Sequence, residues 1–154
     1  MSATRPRRTP VLAGPATALL QRADAELVAA QFSSEPWEQL THAHLAAVRA
    51  GAALLAARGR PSGRRAPRTV WEMVDVVAPE LQRWTSYFAA GANLRSAIEA
   101  GRFDVVGTER AEQVLCAAED FLDAVRDLVE NDPGLADAGP ALPGRPQLLA
   151  ASAS

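Results

Sequence analysis

The fold class is decided by the stretch Thr108-Glu-Arg-Ala-Glu-Gln-Val-Leu-Cys-Ala-Ala-Glu-Asp-Phe-Leu-Asp-Ala-Val-Arg-Asp-Leu-Val-Glu130. Its apolar residues recur every three or four positions, which places them along one face of an α-helix. Acidic side chains fill most of the remaining surface, and Thr108 is predicted to cap the N terminus. The apolar face comprises Val114, Leu115, Ala118, Phe121, Leu122, Val125, Leu128 and Val129.

The same helical spacing recurs toward the N terminus. We predict a first helix over residues 16–31 and a second one that is capped by Ser34 and continues to about Arg58. The second is rich in alanine and nearly apolar all round, which is typical of a helix in the middle of a bundle.

Two further helices are indicated by their start signals. Thr69-Val-Trp-Glu72 matches a capping box and starts the third helix. The fourth is expected to run from Pro79 to Gly101. No stretch alternates apolar and polar residues as a strand does. The chain is therefore expected to be all-α, an up-and-down bundle of about five helices.

The folded part is expected to span residues 16–130 of the 154 residues. Residues 1–15 read as a disordered basic tail, and residues 131–154 as a disordered tail rich in Pro, Ala and Gly. Pro10, Gly14 and Pro15 interrupt the apolar segment that follows Arg7-Arg8, which argues against an export signal. No run of eighteen apolar residues suggests a membrane span, so a cytoplasmic protein without a membrane partner is expected.

Residue types exclude several kinds of chemistry. All sixteen basic residues are arginine, so no lysine is present for Schiff-base or P-loop chemistry. His42 and His44, the only histidines, lie two positions apart and so on nearly opposite sides of a helix. With Cys116 as the only cysteine, neither a metal site nor a cofactor is expected. Cys116 is expected to be a buried, inert thiol.

An arginine loop connects the second and third predicted helices: Arg58-Gly-Arg-Pro-Ser-Gly-Arg-Arg-Ala-Pro-Arg68. It holds five arginines and no acidic residue, a composition that can bind the phosphates of RNA or DNA. The same composition is typical of a solvated loop that balances the acidic last helix, and this interpretation is favoured because no aromatic residue is interleaved to stack bases and the net charge is −2. The candidate nucleic-acid contacts are Arg58, Arg60, Arg64, Arg65 and Arg68.

Trp84, Tyr87 and Phe88 form an aromatic group at helical spacing in the fourth predicted helix. Together with the small residues Ala89 to Ala92 they present more apolar surface than one short helix needs. They are expected to lie either in the core or in the seam of a homodimer.

Six short motifs give the chain a family resemblance. They are His44-Leu-Ala-Ala-Val-Arg49, Arg68-Thr-Val-Trp71, Ala78-Pro-Glu-Leu81, Trp84, Phe88-Ala-Ala-Gly91 and Glu119-Asp-Phe-Leu122. With these motifs, residues 17–130 resemble a small HEPN-domain family ("higher eukaryotes and prokaryotes nucleotide-binding") from high-GC Gram-positive bacteria. The resemblance implies a helical bundle that commonly dimerises and belongs to nucleic-acid biology.

Active HEPN members are metal-independent ribonucleases of toxin, defence and RNA-processing systems. They use an arginine followed four to six residues later by a histidine on a late helix. Neither histidine here follows an arginine at that distance, and the last helix contains none, so no catalytic residue is carried over.

Two hypotheses therefore remain open. The leading one is a non-catalytic binding module for a partner protein or for nucleic acid. The alternative is a metal-independent ribonuclease with an atypical site at His42 and Arg49, which share one helix face but lie about 10 Å apart along it.

Overall fold

The computed structural model describes residues 14–65 and 69–131 and contains six α-helices in this part of the chain. The predicted all-α bundle is confirmed. Short 3-10 turns at Pro79–Leu81 and Phe103–Val105 precede α4 and α6, respectively. The helices are α1 (Pro15–Phe32), α2 (Pro36–Arg58), α3 (Val70–Val77), α4 (Gln82–Ala90), α5 (Ala92–Glu99) and α6 (Thr108–Glu130).

Helix α2 lies at the centre of the bundle and packs along α1 on one side and α6 on the other. Its small side chains explain the close approach of both neighbours, because alanines add little bulk at a helix contact. Five of them are completely buried: Ala43, Ala46, Ala47, Ala50 and Ala53. The alanine-rich second helix was therefore correctly interpreted as central.

The short helices α3, α4 and α5 close the bundle around an aromatic core. The rings of Trp71 and Phe88 stack with their centroids 5.1 Å apart, and Phe121 of α6 meets both of them. Gly51 of α2 permits α3 to lie close by, since a Cβ atom there would come within 3.0 Å of Val70 Cγ2. The core thus depends on one small residue facing α3.

The fourth predicted helix was wrong as a continuous element. After the 3-10 turn at Pro79–Leu81, α4 ends at Gly91, whose N–H donates to the Phe88 carbonyl, and α5 then begins. The predicted end at Gly101 is confirmed. Gly101 has φ +86°, and its N–H and that of Arg102 donate to Ile98 and Ala97, which together form a Schellman cap.

Helix starts were predicted correctly in one case and wrongly in two. The Thr69 hydroxyl accepts a hydrogen bond from the Glu72 N–H, as the capping box requires. Ser34 does not cap α2, because Pro36 occupies the first turn and Glu35 takes the N-cap position. Thr108 is the first helical residue of α6, and Gly107 is its N-cap.

The domain limits are tested only in part. Residues 1–13 and 132–154 lie outside the described residues, so the two disordered tails remain predictions. Pro15, which was assigned to the N-terminal tail, is the first residue of α1.

The absence of a run of eighteen apolar residues did not suffice to exclude a helix of membrane-spanning length. Helix α2 is long and apolar enough to cross a membrane by length and composition. More than half of the relevant segment is buried between the other helices, which is what the core helix of a bundle requires.

Candidate functional site

Glu26 of α1 connects the two residues that were proposed as an atypical catalytic pair. Its carboxylate oxygens lie 2.7 Å from His42 Nδ1 and 2.7 Å from an Arg49 guanidinium nitrogen. The Glu26 side chain is only 14% exposed, so these contacts are partly shielded from solvent. His42 and Arg49 are thus brought together through a carboxylate that engages both, and they form a connection between α1 and α2.

His44 faces the opposite side of α2 and is buried, with 7% of its surface exposed. Its Nε2 accepts a hydrogen bond from the guanidinium of Arg95 on α5. Because arginine can only donate, the neutral imidazole must carry its proton on Nδ1 in this ring orientation. Burial, and then the positive charge of Arg95, lower the pKa of His44 from 6.5 to about 4. The ring is therefore uncharged at neutral pH.

Aromatic rings hold His44 in place. Trp71 and Phe88 meet the imidazole edge-on, with centroid distances of 5.8 and 6.0 Å. These apolar neighbours exclude water, which accounts for the burial that lowers the histidine pKa.

Arg95 borders three cavities. A groove of about 540 Å³ lies between α2 and α5, and a second cavity of about 490 Å³ extends toward α3. A third, of about 20 Å³, is lined by His44, Tyr87 and Arg110 as well. His44 also borders the first of these, so the contact between His44 and Arg95 lies in the lining of the groove between α2 and α5.

In the arginine loop, one described arginine side chain contacts neighbouring residues and three are exposed to solvent. Arg58 donates to the Val77 carbonyl at 3.0 Å and lies 3.7 Å from Glu80, so it links α2 to the end of α3. Arg60, Arg64 and Arg65 are exposed. Within residues 14–65 and 69–131, no side-chain hydrogen bond or ion pair involves these three. Arg68 lies outside the described residues.

The aromatic group of α4 does not form one surface. Phe88 is 2% exposed and lies in the core, which is one of the two locations expected for this group, and it is not available to a dimer seam. Trp84 and Tyr87 are only partly buried and are covered by arginine side chains, Arg83 over Trp84 and Arg110 over Tyr87. For these two residues the dimer seam remains a prediction.

Cys116 is exposed, which corrects the expected buried thiol. It lies two positions before the buried Ala118 on α6, and two positions turn a helix by about 200°. Among the residues that the structure describes, no group of three or more His, Cys, Asp or Glu side chains could hold a metal ion.

Sequence reasoning did not identify Glu26 or Arg95 as residues of the candidate site. Glu26 precedes His42 by 16 positions, and Arg95 follows His44 by 51, so spacing within one helix could not reveal either contact. The one available signal was the position of His44 on a helix that is apolar all round, where a buried imidazole needs a polar partner.

The comparisons agree with this architecture. Neither the curated proteins nor the solved structures contain a match to the chain. The model of the SAV_6107-like HEPN family matches residues 30–126, which cover α2 to α5, the last three residues of α1 and most of α6. Since this match spans more than half of the chain, the protein belongs to the SAV_6107-like HEPN family.

Proposed function

We propose that this HEPN domain is a non-catalytic binding module that holds a nucleic-acid backbone through Arg60, Arg64 and Arg65. One observation carries the proposal: three exposed guanidinium groups lie within six positions and have no side-chain partner among the described residues. Guanidinium groups bind phosphates through paired N–H donors, and unpaired ones need not first break an ion pair.

The charge distribution supports this location. The whole chain has a formal net charge of −2, so positive charge is concentrated locally rather than spread over the surface. The segment between α2 and α3 contains no acidic residue that could neutralise its arginines. A local field of this kind favours phosphate without attracting nucleic acid to the whole molecule.

The positions of the histidines support a non-catalytic role. His42 lies 16 positions before Arg58 on α2 and His44 lies 14 before it, so both are more than 20 Å from the loop along the helix. His42 is engaged by Glu26, and His44 is buried and neutral. A backbone held by the loop arginines therefore lies far from either imidazole.

The test is a fluorescence titration of single-stranded RNA and of duplex DNA at several salt concentrations. The triple variant Arg60→Gln, Arg64→Gln, Arg65→Gln removes up to three phosphate contacts. It should weaken binding and lower the slope of log affinity against log salt by about two to three. Stability should change little, because the three side chains are exposed.

A matched variant separates local contacts from total charge. Arg22→Gln, Arg83→Gln, Arg102→Gln removes the same charge from exposed positions elsewhere and should keep the wild-type slope. If wild-type protein does not bind at about 50 mM salt, or both triple variants bind alike, the nucleic-acid proposal fails. Binding to a partner protein is then the function to test.

A second candidate function is a metal-independent ribonuclease, and the contact between His44 and Arg95 favours it. The fold brings His44 and Arg95, which lie 51 positions apart in the sequence, into contact. The pair expected from the sequence was instead His42 and Arg49. An unprotonated imidazole can act as a general base, but here Arg95 occupies the lone pair of Nε2. Catalysis would require Arg95 to turn from His44 toward a phosphate.

Incubation of mixed RNA with purified protein in excess chelator tests this candidate. If it is a ribonuclease of this kind, wild type and His42→Ala cleave RNA, whereas His44→Ala and Arg95→Gln do not. No cleavage by wild type, or cleavage that survives both of the latter substitutions, excludes it.

A further inference from the structure

The groove between α2 and α5 has the size of a small-molecule site. Its volume of about 540 Å³ lies within the range of pockets that hold compact organic ligands. Most of its lining is apolar: Trp37, Leu45 and Val48 from α2, Ile98 from α5, and Phe103 from the turn that follows. A ligand that fills it must therefore bury substantial apolar surface.

The aromatic end of the groove offers a stacking surface. The rings of Phe103 and Trp37 stack with centroids 4.2 Å apart, and Phe103 is nevertheless 46% exposed. An aromatic ring that rests on a second ring and remains open to solvent is pre-organised to receive a planar ligand.

The other end of the groove is positively charged. Arg95 meets His44, which follows Trp37 on α2 by seven positions, about two helical turns or 10 Å. Because His44 is neutral, it orients the guanidinium without cancelling its charge. Glu99 approaches only to 3.9 Å, and its side chain is 72% exposed, so it offsets little of that charge.

We propose that this groove binds a small aromatic carboxylate, with its carboxylate on Arg95 and its rings against Phe103 and Trp37. A carboxylate matches the fork of the guanidinium donors that His44 leaves unused. His44, which Arg95 contacts, and Trp37 lie about 10 Å apart along α2, a span that suits a bicyclic aromatic acid. The site is distinct from the arginine loop, because Val48 at its near end lies ten positions, about 15 Å, before Arg58.

Isothermal titration calorimetry with 2-naphthoate tests the proposal, and 2-naphthamide serves as the uncharged analogue. We expect one saturable naphthoate site per chain and about tenfold weaker binding of the amide. Arg95→Gln should reduce naphthoate affinity to that of the amide, while Arg95→Lys should fall between them because it keeps the charge but loses the fork.

Phe103→Ala tests the aromatic end and should weaken both ligands about tenfold. Val105→Ala is its matched control, since Val105 lies in the same 3-10 turn with 42% exposure but does not line the groove. This pair of variants keeps the test decisive if the Arg95 variants do not fold.

Three results would overturn the proposal: no saturable naphthoate binding at millimolar concentration, equal affinity for acid and amide, or equal effects of Phe103→Ala and Val105→Ala. If naphthoate does not bind and Phe103→Ala instead converts a dimer to a monomer by light scattering, a second copy of the chain occupies the groove. The Arg60, Arg64 and Arg65 triple variant should bind naphthoate like wild type, so the nucleic-acid proposal can fail independently.

Discussion

Acid should destabilise the wild-type fold by a mechanism that His44→Gln removes. Burial and the charge of Arg95 lower the pKa of folded His44 from 6.5 to about 4. Below about pH 6.5 the unfolded chain therefore binds a proton that the folded chain does not bind until about pH 4. Since the unfolded state binds more protons in this window, the free energy of unfolding falls as the pH falls.

The size of the effect follows from these two pKa values. Their difference corresponds to about 3 kcal/mol once both states are protonated. Between pH 7 and about pH 4.5 the expected loss is about 2 kcal/mol. A domain of this size is typically stable by about 5–15 kcal/mol, so the loss is large enough to measure without complete unfolding.

Urea denaturation followed by tryptophan fluorescence at several pH values measures this loss. Carboxylates titrate in the same range in every variant, so the comparison between wild type and His44→Gln isolates the imidazole. The variant should be less stable at pH 7, and its deficit should shrink by about 2 kcal/mol toward pH 4.5. His42→Gln is the control and should keep the part of the acid sensitivity that His44 causes. Parallel curves for wild type and His44→Gln would refute the reasoning.

Three further outcomes can be checked with the same preparations. Gly51→Val should cost about 1–3 kcal/mol in urea denaturation, because a Cβ atom there meets Val70 Cγ2 at 3.0 Å and must force α2 and α3 apart. Phe121→Ala should cost about 3–5 kcal/mol, since the ring is fully buried, whereas Phe32→Ala, at 84% exposure, should change stability by less than about 0.5 kcal/mol. Light scattering at high micromolar concentration should give twice the 16.3 kDa chain mass, and a monomer mass would contradict the expected homodimer.

The spacing of apolar residues was sufficient to predict most of the helices, because a helix that buries one face has apolar residues every three or four positions. The amphipathic α6 is such a case, whereas the alanine-rich α2 was predicted as central because it is apolar nearly all round. The break between α4 and α5 at Gly91 could not be predicted in this way, since glycine is tolerated inside helices and no proline marks the end of α4. The cap of α2 was misplaced by one residue because Pro36 fixes the first turn, which moves the N-cap to Glu35.

The candidate site was predictable only where its members share a helix. The spacing of His42 and Arg49 correctly placed them on one face of α2, but Glu26, which joins them, lies on α1. The same limit hid Arg95, the partner of His44. For Cys116 the prediction of burial was based on its apolar neighbours in sequence. Exposure instead depends on the direction in which a residue points around the axis of α6, and Cys116 is exposed.

The two proposed sites hold positive charge in different ways, and salt should distinguish them. Arg60, Arg64 and Arg65 are exposed, so a phosphate backbone that binds them must release counterions. Each phosphate contact therefore makes the affinity fall more steeply as salt rises. Arg95 is 37% exposed, contacts a neutral imidazole, and would meet a single carboxylate beside apolar walls. One partly shielded charge pair is screened less than several exposed ones.

Raising salt from about 50 to 200 mM should therefore weaken RNA binding by an order of magnitude or more, but 2-naphthoate binding by less than about threefold. Equal salt dependence in the two titrations would mean that both ligands bind the same exposed arginines.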